Sequence, residues 1–191
     1  MTASFVDGVN NIIVPTDTCK NTVYCVARLN DFDSIEDFGI ILCKHFLTEY
    51  PSLVNKISVT ITEDNWERLS TPDSSGRQAP HKHAFRRVGP SKHYAVVVGE
   101  KRPSTALTLS VRSGVKNLDL LKTTQSGFVD FSKCKYTSLP EVPDRILGTS
   151  AEIEWTFDNN YLNQNVRINF RQVNNLESIT CLKIIFSPQL L

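Results

Sequence analysis

Hydrophobic residues in the first fifty positions recur at helical spacing. Cys19, Val23, Val26 and Ala27 share one face, so residues 17–29 predict an amphipathic helix. Ahead of it, Ile12-Ile13-Val14 reads as a short strand that Pro15 breaks, with Thr16 or Thr18 placed to cap the helix. Ile35, Phe38, Ile41, Leu42, His45 and Phe46 form a second stripe. It opens on Ser34-Ile35-Glu36-Asp37, which fits a capping box, and runs to Tyr50, where Pro51 stops it. The pattern then changes to strict alternation. Ile57, Val59 and Ile61 alternate with Ser58, Thr60 and Thr62, as in a half-buried strand. Residues 71–80 are rich in Ser, Pro and Gly and read as a turn. Residues 81–87 and 94–98 predict two strands around the Gly89-Pro90 turn. Leu107, Leu109 and Val111 alternate up to an expected turn at Ser113-Gly114, and Ile153, Trp155 and Phe157 alternate again. Further on, Val166, Ile168 and Phe170 alternate, and residues 182–186 are apolar, so the last thirty residues also have strand character. Two helices followed by strands imply an α+β layer, with helices covering one face of an antiparallel sheet.

Residues 118–145, LDLLKTTQSGFVDFSKCKYTSLPEVPDR, carry the candidate chemistry. By residue type they predict a strand, a turn and a short helix that bury their aromatics, with Arg145 in a surface ion pair. The same residues also suit a ligand. Gly127 and Ser126 allow close backbone approach, Phe128 offers a stacking face, and Arg145 offers a planar fork of donors.

Composition narrows the class. The chain has 191 residues, enough for one large domain or two small ones. It is 40% hydrophobic and 21% charged, the balance of an ordinary globular protein. A net charge of +1 points to no nucleic-acid partner and no membrane surface. No apolar run reaches membrane-spanning length, and the first residues lack the basic and apolar regions of a secretory signal. The five cysteines, Cys19, Cys25, Cys43, Cys134 and Cys181, are scattered without a CxxC pair, which favours free thiols in a reducing compartment. His81 and His83 share one face of a strand but lack a third ligand nearby, so a structural role is expected. His45 reads as a core histidine, and His93 has no evident role.

Three separated segments, in order, resemble the uricases (urate oxidases). They are Ile13–Tyr24 (IVPTDTCKNTVY), His81-Lys82-His83-Ala84-Phe85, and a signature formed by Leu118, Leu120-Leu121-Lys122-Thr123-Thr124, Ser126, Phe128, Phe131, Tyr136, Leu139 and Arg145. The similarity runs over about residues 10–157. It implies tandem tunnelling-fold (T-fold) domains, here 1–102 without its first hairpin and 103–191 as a partial second domain, divided at the polar residues 100–103. It further implies a homotetramer that oxidises urate with O2 and water to 5-hydroxyisourate and hydrogen peroxide, without cofactor or metal. Thr16 would be the catalytic threonine that contacts urate and relays protons, with Asp17 beside it. Phe128 would stack on the purine and Arg145 would pair with a urate carbonyl and ring nitrogen. In the family these two come from one subunit and the threonine from its neighbour, so the site lies at the subunit interface and a monomer is expected to be inactive. The family is peroxisomal, although Gln189-Leu190-Leu191 is not an SKL-type address; without one the location would be cytoplasmic.

The chain also departs from the family. No lysine precedes Ile12, where the family has its general base, and no histidine follows His93, where the family uses one late in the second domain. Activity of these 191 residues is therefore expected to be impaired. The alternative is a catalytically inactive T-fold protein that binds a purine or pterin or serves in assembly.

Overall fold

Proline sets the start of the first long helix. In the computed structural model, which describes residues 2–72, 74–101, 106–157 and 179–188, a short helix α1 (Thr2–Val6) precedes α2 (Thr16–Leu29). Pro15 holds the extended position before α2, and no side chain caps the helix. Thr16 is thus the first helical residue and not a cap, and neither is Thr18. Ile12–Val14 form no strand: Ile13 N–H bonds Asn10 O at 3.1 Å and closes a turn instead. The second helix follows its sequence closely. Before α3 (Ile35–Glu49), the Ser34 hydroxyl accepts from Asp37 N–H at 3.1 Å. Ser34→Ala is expected to cost about 1 kcal/mol, read as a lower denaturant midpoint at unchanged slope.

The strands are β1 (Lys56–Glu63), β2 (Trp66–Pro72), β3 (Gln78–Arg87), β4 (Lys92–Glu100), β5 (Thr108–Lys122), β6 (Leu147–Phe157) and β7 (Ile179–Pro188). They form a five-stranded sheet in the order β1-β4-β5-β6-β7 and a separate ribbon, β2-β3. The residues 182–186 expected as strand lie in β7; the alternation at Val166, Ile168 and Phe170 lies outside the described residues. β1 runs antiparallel to β4 in unbroken register, from Lys56 opposite Glu100 to Glu63 opposite His93.

Contacts group the chain into two units. The first comprises Met1–Glu63, His93–Gly114 and Glu154–Leu182. Its core joins Cys43 of α3 to Val97, Leu109, Val111 and Phe157 of the sheet, while Val26 of α2 packs with Leu42 and Phe46. The alternation of β1 is realised as half-buried Ile57, Val59 and Ile61 against exposed Ser58, Thr60 and Thr62. Two glycines set the helix-to-sheet distance. A Cβ on Gly39 would lie 2.6 Å from Val97 Cγ2, and one on Gly99 would lie 2.9 Å from Leu47 Cδ1. Burial pushes the Cys43 thiol up to about 11, so it behaves as a small hydrophobe.

A polar network crosses this core. The turn expected at Ser113-Gly114 is absent, because β5 continues through it. Ser113 is fully buried, and its hydroxyl donates to Glu36 Oε1 at 2.6 Å. Glu36, only 1% exposed, also meets His93 Nε2 at 3.0 Å, and His93 Nδ1 lies 3.2 Å from Glu63 Oε2. Trp155 stacks over the imidazole, 6.2 Å between centroids. Burial opposes ionisation of Glu36, but the bonds from His93 and Ser113 outweigh it and hold the carboxyl below its usual range. The bond to Glu36 raises His93 in turn, against burial and with help from Glu63.

The second unit comprises Asp64–Lys92, Val115–Ile153 and Lys183–Leu191. Its ribbon buries no residue, and every position of β2 is exposed. Arg68 spans the hairpin, with its guanidinium 4.4 Å from the Phe85 ring centre and donating to the carbonyls of His81 and Lys82. His81 Nδ1 accepts from the backbone N–H groups of His83 and Ala84, so this ring is engaged by its own strand.

Candidate functional site

Each of the four residues singled out from sequence is exposed: Thr16 and Asp17 lie at the start of α2 in the first unit, and Phe128 and Arg145 lie between β5 and β6 in the second. In the first unit, Thr16 opens α2 with its side chain in solvent. The first N–H groups of any helix lack intrahelical acceptors, and here no side chain supplies one from the cap position. That end of α2 therefore presents donors and the positive end of the helix dipole. Asp17 is tied down on the same turn: Lys20 pairs with it at 2.8 Å and the Asn21 amide donates to it at 2.8 Å. An apolar cleft of about 370 Å³ lies in this unit too, lined by residues that include Val14, Cys19, Leu42 and Val59.

In the second unit, the strand–turn–helix expected over 118–145 holds only in its strand and turn. After β5 the chain forms a turn over Thr123–Ser126 and then an extended loop, with no helix. Pro140 and Pro143 lack the N–H that a helix needs, and Asp130 takes a left-handed φ of 57°. The loop folds back so that Phe128 and Val142 exchange both backbone hydrogen bonds, at 2.8 and 3.2 Å. This puts Phe128 and Arg145 on adjoining segments.

The close approach at Gly127 serves this fold-back. A Cβ there would lie 2.3 Å from Pro143 O, so no larger residue fits without moving backbone. Asp144 fastens the other side. Its carboxylate accepts from the Thr124 hydroxyl at 2.6 Å and from Ser126 N–H at 3.3 Å. These two bonds, the Thr124 hydroxyl first, hold Asp144 below the usual carboxylate range. Lys122 Nζ donates to the Gln125 carbonyl at 2.8 Å, across a residue with φ 60°. Ser126 Oγ is shielded and has no partner among the described residues.

Phe128 is 46% exposed. One face stacks on Phe131, with centroids 4.7 Å apart and planes 7° apart. Arg145 is exposed next to the Asp144 clasp. Phe128 and Arg145 thus share one unit, and Thr16 and Asp17 share the other. Sequence reading named Thr124 only within the signature and Gly127 only for approach to a ligand, and missed Asp144, because a contact twenty residues apart leaves no periodic trace. Among the described residues, no cluster of three or more metal-binding side chains occurs, and no helix is long and apolar enough to cross a membrane.

Comparison with known proteins covers most of the chain. The family model described as Uricase matches residues 1–98 and 111–184, a wider span than 10–157. A uricase of Dictyostelium discoideum is 39% identical over 155 residues, covering 81% of this chain and 50% of that protein. Uricase-2 isozyme 2 of Glycine max is 43% identical over 149 residues, covering 78% and 45%. Among solved structures, a uricase from Bacillus fastidious superposes with a TM-score of 0.69 at 25% identity, over 83% of this chain and 50% of that one. The α+β T-fold reading is borne out by these neighbours. The chain spans about half the length of the curated relatives it matches.

Proposed function

Because the chain belongs to the uricase family, we propose that it takes part in urate degradation, in the cofactor-free oxidation of urate by O2. Phe128 stacks on the purine through the face that Phe131 leaves open, and Arg145 grips a carbonyl and ring nitrogen at its edge. Thr16, from a second copy in a homotetramer, meets the same ligand at a helix end that favours the urate anion. Asp17 orders that end through Lys20 and Asn21. Urate loses a proton and reacts with oxygen at C5 to give a hydroperoxide. Water then displaces peroxide, leaving 5-hydroxyisourate and hydrogen peroxide, while Thr16 relays the proton between water and substrate. The protein's part is orientation and electrostatic stabilisation. A peroxisomal location belongs to the same proposal.

The observation that carries this reading is the fold-back itself. It pairs the segment of an exposed aromatic, backed by a second ring, with the segment that leads three residues on into an exposed arginine. Urate binding under anaerobic conditions, where no turnover can occur, tests it by equilibrium dialysis of the 191-residue chain. Phe128→Ala and Arg145→Ala should each weaken binding by about ten- to a hundredfold, as expected for anchors that supply most of a binding energy. A parent chain that does not bind urate, or variants that bind as the parent does, would sink the proposal. Binding, rather than turnover, is the readout that isolates these two side chains.

A further inference from the structure

We propose that Asp144 is a positioning residue of this purine site: together with Thr124 it forms a clasp that holds Phe128 and Arg145 in register. The inference rests on the reading of Phe128 and Arg145 as urate-binding groups. Three contacts close the same loop. The backbone pair Phe128–Val142 joins the two segments, Gly127 lets them approach, and Asp144 locks the turn that precedes Gly127.

The clasp is needed because little else fixes this loop. Residues 123–125 and 127–130 are all exposed, and two non-glycine residues of the loop, Gln125 and Asp130, adopt a left-handed φ. Such a loop has no core to order it, so polar bonds must. Asp144 suits that task because it precedes Arg145 directly. Fixing its carboxylate to Thr124 and Ser126 fixes the Arg145 backbone against the turn that leads into Phe128. A stacking ring and a bidentate fork act on one flat ligand only when their separation and tilt are set. A misplacement of about 1 Å can cost about a hundredfold in such sites.

The test uses the full 191-residue chain and two independent readouts. The first needs no ligand: amide hydrogen exchange at Ser126 and Phe128. Asp144→Ala should speed exchange at both, and unchanged protection overturns the clasp whatever the ligand does. The second is anaerobic urate affinity. Thr124→Val keeps the shape and removes the hydroxyl, so it should weaken urate by about tenfold or more. Thr124→Ser restores the hydroxyl and should return affinity to within about threefold of the parent. The double variant Thr124→Val with Asp144→Ala should bind no more weakly than Asp144→Ala alone, since both break one interaction. Equal weakening by valine and serine, or fully additive losses, would overturn the positioning role. If Arg145→Ala retains full urate affinity, the purine reading itself fails, and the role of the clasp in binding fails with it. Because both residues are exposed, these variants test the loop and not the core.

Discussion

Glu36→Ala is expected to lower the unfolding free energy by about 3–5 kcal/mol, because it strips one partner from a buried charged pair. Glu36 is almost wholly enclosed, and its loss would leave Ser113 with a buried hydroxyl and no carboxylate to receive it. The His93 side chain is 27% exposed, so water would share its charge and the lower end of that range is expected. Glu36→Gln keeps the shape and an acceptor for Ser113, and should cost less.

The pH profile separates this mechanism from simple packing. Glu36 is held below its ordinary value of 4.5. Its contribution is complete above that value and is lost as pH falls through the lower, folded one. His93 is held above its ordinary 6.5, so its contribution is complete below 6.5 and is lost as pH rises through the higher, folded value. The network therefore stabilises most between those two ordinary values and fades on both sides. The groups facing it are Glu63 from β1, Ser113 from β5 and Trp155 from β6, with Asp37 nearby on α3. Denaturant midpoints measured from about pH 3 to about pH 9 should show both flanks in the parent, and in Glu36→Ala a weaker acid flank and an alkaline flank cut to the part that Glu63 supplies. A variant with the parental profile would show that the pair contributes nothing.

Gly127→Ala is the second large effect, and it falls on binding. The added methyl would sit 2.3 Å from the Pro143 carbonyl oxygen, a backbone atom that no side-chain rotation can clear. The two segments must part, and the paired bonds of Phe128 and Val142 go with them. The loop carries little of the core, so the cost in stability should stay near the 1–3 kcal/mol typical of overpacking. Urate affinity should fall by about a hundredfold. Calorimetric titration of the anaerobic chain, with thermal unfolding alongside, measures both. Parental affinity in Gly127→Ala would mean that the spacing of Phe128 from Arg145 does not matter.

The parts of this fold legible in the sequence are those with a local cause. The capping serine before α3, the proline that stops it and the alternation of β1 each act within a few residues, and each appears where expected. The parts that were not legible depend on distant partners or on none. Strand β2 has no buried face, so no alternation marks Trp66–Pro72. Ser113-Gly114 looked like a turn, yet a buried carboxylate on α3 keeps β5 extended there. Thr16 looked like a cap, yet Pro15 already holds that position. For the candidate site, residue type and the family resemblance picked out Phe128 and Arg145. The fold-back that pairs their two segments involves Gly127, Thr124 and Asp144, whose meaning is three-dimensional.

The bond between Ser113 and Glu36 joins residues 77 positions apart. During synthesis, α3 therefore leaves the ribosome long before the strand whose hydroxyl its hidden acid accepts from. Until β4 arrives, the apolar stripes of α2 and α3 have each other and the single strand β1 but no sheet to rest on. Long-range closure of this kind is slow, and it leaves sticky surface open to the wrong neighbours in the meantime.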